Sequence, residues 1–93
     1  MKSSTTGPFW KCYALLPRDI KTQARKAFKI FLKNAYHPSL RFKKVHSSRP
    51  IFAVRISKDY RAVGNLAGDE MIWFWIGSHE QYDKLLKKLR QQS

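Results

Sequence analysis

Ile51-Phe52-Ala53-Val54-Arg55-Ile56-Ser57-Lys58-Asp59-Tyr60-Arg61-Ala62-Val63-Gly64-Asn65-Leu66-Ala67-Gly68-Asp69-Glu70-Met71-Ile72-Trp73-Phe74-Trp75-Ile76 is the stretch whose reading decides the fold. Three runs rich in β-branched and aromatic residues, 51–57, 60–67 and 70–76, are parted by a polar break at Ser57-Lys58-Asp59 and a turn at Gly68-Asp69. Short breaks between such runs predict two consecutive hairpins, hence an antiparallel meander. The register of the first hairpin fixes which side chains meet, because a slip of one residue exchanges the faces of a strand. A three-residue loop sets Ile56 opposite Tyr60, Arg55 opposite Arg61 and Val54 opposite Ala62. A two-residue loop sets Ile56 opposite Arg61 and mixes the faces. The first register keeps Phe52, Val54, Ile56, Tyr60 and Ala62 together and is preferred. It places two like charges side by side, which destabilises a sheet. An anion between the guanidiniums removes that cost. The alternative is that both arginines are solvated, or paired with Asp59 and Asp83.

In the second hairpin the turn aligns Leu66 with Met71 and therefore Arg61 with Ile76. The arginine face of the sheet then ends beside Gly77-Ser78-His79. Ser78 and Gln81 have the spacing of a capping box and open a helix over about 79–91. Tyr82, Leu85, Leu86 and Leu89 form its apolar stripe, and Glu80–Lys84 and Asp83–Lys87 are acid-to-base pairs at i, i+4. His79 at the helix start meets the positive end of the dipole, which disfavours a second positive charge there. A neutral imidazole beside two guanidiniums is a candidate proton acceptor, and the helix start offers N–H groups to an anion. Tyr82 lies one turn on, where its own apolar stripe gives it a packing role and its hydroxyl a reach toward the same space. Trp73 and Trp75 fall on the opposite sheet face, in the core. His37 and His46 read as loop histidines.

Upstream of the meander, Ile20, Ala24, Ala27, Phe28, Phe31, Leu32 and Ala35 recur at steps of three and four. This spacing predicts a helix over 18–35, opened by Pro17 and closed by Pro38. Its other face carries Arg18, Lys21, Arg25, Lys26, Lys29 and Lys33. Leu40–Val45 reads as a short strand. Phe9–Leu16 reads as a first strand, and residues 1–8 as a flexible tail before a single domain over 9–91. The expected class is α+β: a small antiparallel sheet of about four strands, an N-terminal helix or helix pair, and a C-terminal helix.

The chain has 93 residues and a formal net charge of +13. Residues 1–58 hold 14 Lys and Arg against the single acid Asp19, while 59–93 hold five of each sign. A one-sided basic field attracts polyanions, with nucleic acid first and an acidic protein next. Cys12 is the only cysteine, so no internal disulfide forms, which suits a reducing cytoplasm. Lys2 is followed by a polar stretch rather than an apolar one, so no signal peptide is expected. The longest apolar run, Met71–Ile76, is too short for a membrane helix. Metal-ligand spacing and a glycine-rich phosphate loop are both missing from the sequence.

Val54-Arg55-Ile56 with Tyr60-Arg61, Leu40 ahead of the sheet, and Gly77-Ser78-His79 with Gln81-Tyr82 resemble the RelE/ParE superfamily of bacterial toxins from toxin–antitoxin systems. The likeness spans roughly residues 9–88. It implies an endoribonuclease, or mRNA interferase, that cuts messenger RNA, usually in the ribosomal A site, without metal or cofactor. The ribose 2′-OH attacks the adjacent phosphorus and leaves a 2′,3′-cyclic phosphate and a 5′-OH. In that mapping Arg61 holds the scissile phosphate and Arg55 makes a second phosphate or backbone contact. His79 transfers protons or stabilises the transition state, and Tyr82 stacks on a base or assists the transfer. Lys43 and Lys44, with Arg41 and Lys58, bind RNA. The region His37-Pro38-Ser39-Leu40 lacks the glutamate that some members use as general base, which leaves His79 or a lysine for that role. The resemblance also implies an acidic antitoxin partner, a monomeric free toxin, and residence in the cytoplasm with no membrane contact. Two other functions stand as alternatives: a ParE-like gyrase inhibitor of the same fold, and an inactive or unrelated, non-catalytic nucleic-acid-binding module.

Overall fold

The computed structural model describes residues 1–91. Its elements are β1 (Lys2–Thr5), α1 (Gly7–Ala14), α2 (Arg18–Lys33), a 3₁₀ turn (Pro38–Leu40), β2 (Lys43–Lys44), β3 (Ile51–Ser57), β4 (Tyr60–Ala67), β5 (Glu70–Ser78) and α3 (His79–Gln91). One sheet has the order β1-β5-β4-β3-β2, with β1 parallel to β5 and every other pair antiparallel. The α+β class, the meander and the C-terminal helix are as expected, and the sheet has five strands rather than about four.

Both N-terminal expectations are corrected. Residues 2–5 are not a tail but an edge strand, with Lys2 opposite Glu70 and Thr5 opposite Trp73. This strand has no apolar residue to announce it. Backbone pairing and a bond from the Trp73 indole N–H to Ser3 Oγ (2.8 Å) hold it in place. Residues 9–16 are not a strand, because α1 occupies Gly7–Ala14. Thr6 caps it by accepting from the Phe9 N–H, and Pro8 sits in the first turn, where a missing N–H costs nothing. The inward residues are Phe9, Cys12, Tyr13 and Leu16, at helical spacing, while Leu15 stays 87% exposed and Trp10 53%. The strand reading comes from a run apolar on nearly every residue, which fits either period. The helix pair is therefore α1 and α2.

Helix α2 buries Ile20, Ala24, Ala27 and Phe31 against the sheet, as its periodicity predicts. It stops at Lys33, with Asn34 already extended, short of the proline expected to end it. The expected strand at Leu40–Val45 shrinks to Lys43–Lys44, because Pro38–Leu40 forms a 3₁₀ turn and Arg41 takes a left-handed backbone at φ 46°.

The sheet separates two cores. Beneath α1 and α2 lie Val54, Ile56, Ala62, Met71, Trp73 and Ile76, joined by an aromatic chain from Phe9 through Phe28, Trp73, Phe31 and Phe42 to Phe52. Beneath α3 lie Ile51, Ala53, Val63, Tyr82 and Leu86, with Phe74 and Trp75 partly buried against them. Trp73 is core as expected. Trp75 is not on the same face, because a bulge intervenes: Val63 faces Trp75 while Gly64 faces Trp73, leaving Phe74 as the extra residue.

Candidate phosphate-binding and proton-transfer cleft

Arg55 and Arg61 sit directly opposite one another on β3 and β4, with Val54 opposite Ala62. The loop is nevertheless the two-residue one: Ser57 pairs with Tyr60, and a bulge at Ile56 absorbs the difference. The bulge keeps Ile56 in the core with Val54 while leaving the arginines on the other face. The second bulge, at Phe74, moves Arg61 one residue along β5. It faces Gly77 rather than Ile76, and Ile76 pairs with Ala62 in the core. Arg61 thus gains a neighbour with no side chain. Gly77 is required there, because a Cβ would lie 2.6 Å from the Trp75 ring and 2.9 Å from Gln81 Oε1.

A cleft of about 80 Å³ opens on this face, lined by Arg41, Lys43, Ala53, Val54, Arg55, Arg61, His79 and Tyr82. All four residues expected to be catalytic meet in it, together with two of the four expected to bind RNA. Four cations line it and no carboxylate does. Arg41 and Lys43 flank Phe42, whose ring stacks on Phe52 at 5.0 Å on the other side of the sheet. Lys44 lines an adjoining groove of about 740 Å³ between β2 and α3, which shares Lys43, His79 and Tyr82 with the cleft and continues past Asp83 to Arg90. Lys58 stands exposed on the β3–β4 turn, outside the lining of the cleft.

The turn between β3 and β4 ties the two halves of the site together. Nη1 of Arg61 donates to the carbonyls of Ser57 (2.8 Å), Lys58 (3.3 Å) and Tyr60 (2.9 Å). The remaining carbonyl of the turn, Asp59 O, accepts the backbone N–H of His79 at 2.6 Å. One turn therefore fixes the guanidinium from one side and the start of α3 from the other. Among the described residues neither Arg55 nor Arg61 pairs with a carboxylate. Burial, then the facing Arg55, lower the pKa of Arg61; Arg41 adds to this, while Tyr82 and Asp59 oppose it. Crowded, partly buried guanidiniums with no acid beside them make a site in which an anion relieves repulsion.

The start of α3 departs from expectation in one respect. The capping box forms: Ser78 Oγ accepts the Gln81 N–H at 3.2 Å and Gln81 Oε1 accepts the Ser78 N–H at 3.3 Å. With His79 N–H given to Asp59, these three donors are used internally and are not offered to an anion. The guanidiniums are the groups of the cleft left to meet an anion. The His79 ring stands edge-on to Tyr82 at 5.6 Å, and its Nδ1 lies 3.2 Å from Asp83 Oδ2. Tyr82 is 5% exposed, so its ring has no face open to a nucleobase, although the residue lines the cleft. Burial raises its pKa; Arg61 counteracts this and Asp83 reinforces it. The phenol thus holds its proton throughout the neutral range.

Two participants escape the sequence reading. Asp83 shares an i, i+4 spacing with His79, a visible signal that its equal spacing to Lys87 obscures. His46 is not a loop bystander but 5% exposed. Its Nδ1 accepts the N–H groups of Ser48 (3.1 Å) and Arg49 (2.9 Å), and its Nε2 lies 3.3 Å from Leu89 O. It fastens the far end of α3 to the β2–β3 connection, and no local pattern announces a contact across 43 residues.

A family model described as the ParE-like toxin domain matches residues 18–84, which contain every residue lining the cleft. The chain belongs to the ParE-like toxin domain family. Among solved structures, this ParE-like domain resembles RelE in the RelB–RelE antitoxin–toxin complex from Methanococcus jannaschii. The TM-score is 0.72 at 16% identity, covering 87% of this chain and 95% of that one. It also resembles the YoeB/ParE toxin from Agrobacterium tumefaciens (TM-score 0.68, 13% identity, 85% and 99% covered). The isolated E. coli RelE toxin matches at a TM-score of 0.62 and 14% identity, with 95% and 97% covered. At these identities the likeness is one of fold. No curated protein matches the sequence.

Proposed function

We propose that this ParE-like domain is the toxin of a toxin–antitoxin pair and an endoribonuclease that cuts mRNA, on the ribosome, without metal or cofactor. The single observation that carries the reading is the cleft, where Arg55 and Arg61 face one another beside Arg41, Lys43, His79 and Tyr82. Opposed guanidiniums hold the non-bridging oxygens of a phosphodiester and stabilise the charge that grows on them during attack. His79 takes the proton of the ribose 2′-OH as its oxygen bonds to phosphorus. The bond from phosphorus to the 5′ oxygen breaks, and the Tyr82 hydroxyl protonates that oxygen as it leaves. The products are a 2′,3′-cyclic phosphate and a 5′-OH. Lys43 and Lys44 guide the flanking backbone along the groove between β2 and α3. Lys58 approaches RNA from the turn.

The proposed partner is an acidic antitoxin. The basic surface supports this, since complementary charge speeds association, and RelE of M. jannaschii is seen with its RelB antitoxin. The toxin alone is a cytoplasmic monomer in this proposal; no helix among the described residues is long and apolar enough to cross a membrane.

A second reading, a gyrase inhibitor of the same fold, draws on the ParE-like family match. The proton-transfer pair His79 and Tyr82 beside the arginines favours the nuclease. Induced expression with primer extension on a reporter mRNA, beside a gyrase supercoiling assay, separates the two. Wild type is expected to arrest growth and cut the message. Arg55→Ala and Arg61→Ala should each lose about 10²–10³-fold in cleavage. Arg61→Ala also loosens the turn, so Arg55→Ala, which leaves those turn bonds intact, is the cleaner variant. Undiminished cleavage in both sinks the site, and gyrase inhibition without cleavage replaces the reading.

A further inference from the structure

We infer that Asp83 is a positioning residue for this site: its carboxylate holds His79 in the Nδ1–H tautomer and leaves Nε2 as the ring's acceptor nitrogen. Its catalytic consequence rests on the nuclease reading above; its structural content does not. A carboxylate is an obligate acceptor, so the nitrogen 3.2 Å from Asp83 Oδ2 carries the proton. The remaining nitrogen must then do any proton abstraction. The residue is held at three points. Its backbone N–H is fixed by Asp59 O at 2.6 Å, its helical turn is closed by the Ser78–Gln81 capping box, and its edge rests on Tyr82. Rotation of the ring about its own bonds is the freedom left, and the Asp83 contact removes it.

A bland alternative exists, a surface ion pair at i, i+4. The side chains are 47% and 63% exposed, so such a pair adds little to stability. The two readings differ in what they predict for the tautomer. The other histidines provide an internal contrast. His37 Nδ1 accepts the Ser39 N–H, and His46 Nδ1 accepts from Ser48 and Arg49, so both are Nε2–H tautomers when neutral. His79 alone of the three is required to be the opposite tautomer.

The test is nitrogen-15 NMR of the imidazoles in the free protein, at a pH where they are neutral, with His79→Gln assigning the signal. Wild type should show two Nε2–H rings and one Nδ1–H ring, a preference that Asp83→Asn, whose amide donates as well as accepts, should lose. Asp83→Ala should show three Nε2–H rings. RNA cleavage by Asp83→Ala should fall about tenfold in kcat with KM within about twofold, and Asp83→Asn should not restore it. A wild-type His79 in the Nε2–H form, or a tautomer unmoved in Asp83→Ala, overturns the assignment. So does a kcat unchanged in a protein that cuts RNA. The tautomer is read without RNA, so a protein that cuts nothing refutes the nuclease reading while the NMR still decides the role of Asp83.

Discussion

Tyr82 is pulled two ways by its surroundings. Its ring belongs to the core under α3, tilted against Trp75 at 6.5 Å, and the residue also lines the cleft with Arg61. Burial dominates and keeps the phenol protonated, so the linkage to stability has a definite sign. The unfolded chain gives up this proton near pH 10, and the folded chain holds it to higher pH. The Tyr82 contribution to stability is therefore full below about pH 10 and lost as pH climbs through the folded value. Urea unfolding between pH 8 and 11 should show an alkaline decline that is shallower in Tyr82→Phe; equal slopes would remove Tyr82 from the linkage. The same variant should lose about 10²-fold in RNA cleavage as the donor disappears. At this scale the facing of Arg55 and Arg61 is legible from keeping the apolar residues on one face, although the loop has two residues rather than three and a bulge at Ile56 restores the register. The pairing of His79 with Asp83 is not, because one acid has two equally spaced bases and spacing cannot choose between them.

Local signals mark some element ends well and others poorly, since α2 stops at Lys33, short of Pro38. Strands β3 and β4 and helix α3 begin and end where turn residues and a capping box say they should. The bulges are what the strand pattern hides. At the bulge in β5 Gly64 has no room for a side chain: a Cβ would lie 2.6 Å from Ile72 O, 2.9 Å from Met71 Cε and 3.0 Å from Trp73 Cα. Two of those three atoms are backbone and cannot step aside. Gly64→Ala should destabilise the fold by about 1–3 kcal/mol in chemical denaturation, and a change under a few tenths would mean that the bulge yields easily. The anchoring of α3 makes a second prediction. His46→Ala strands the N–H groups of Ser48 and Arg49 and frees the Leu89 carbonyl. The expected loss is about 1–3 kcal/mol, with faster amide exchange confined to the last turns of α3 and the β2–β3 connection. Protection unchanged in both segments would count against His46 as the fastener. Helix α1 is hard to tell from a strand because Phe9–Leu16 is apolar on nearly every residue, so both periods fit; the Thr6-Gly7-Pro8 start is the discriminating signal.

Over the whole molecule, the net charge of +13 is gathered in the first 58 residues. That half supplies three of the four cations lining the cleft, Arg41, Lys43 and Arg55, while Arg61 comes from the neutral half. RNA binding should consequently weaken with salt. Lys43→Ala with Lys44→Ala should flatten the slope of log affinity against log salt by about 0.7 for each phosphate that is no longer neutralised. An unaltered slope would place the RNA elsewhere. The sequence by itself determined the meander, α2, α3, the basic field and the membership of the arginine pair, because each depends on periodicity, capping or counting within a short window. Only the tertiary structure decided the rest. Strand β1 exists because β5 offers it an edge, not because Lys-Ser-Ser-Thr favours extension. Arg61 faces Gly77 because the bulge at Phe74, in the next strand, advances the ladder by one residue. His79 meets the arginines because a turn carbonyl from another hairpin takes its N–H. Each of these joins segments that are apart in sequence, chosen by shape and hydrogen-bond satisfaction after the chain has collapsed, and no local pattern encodes it.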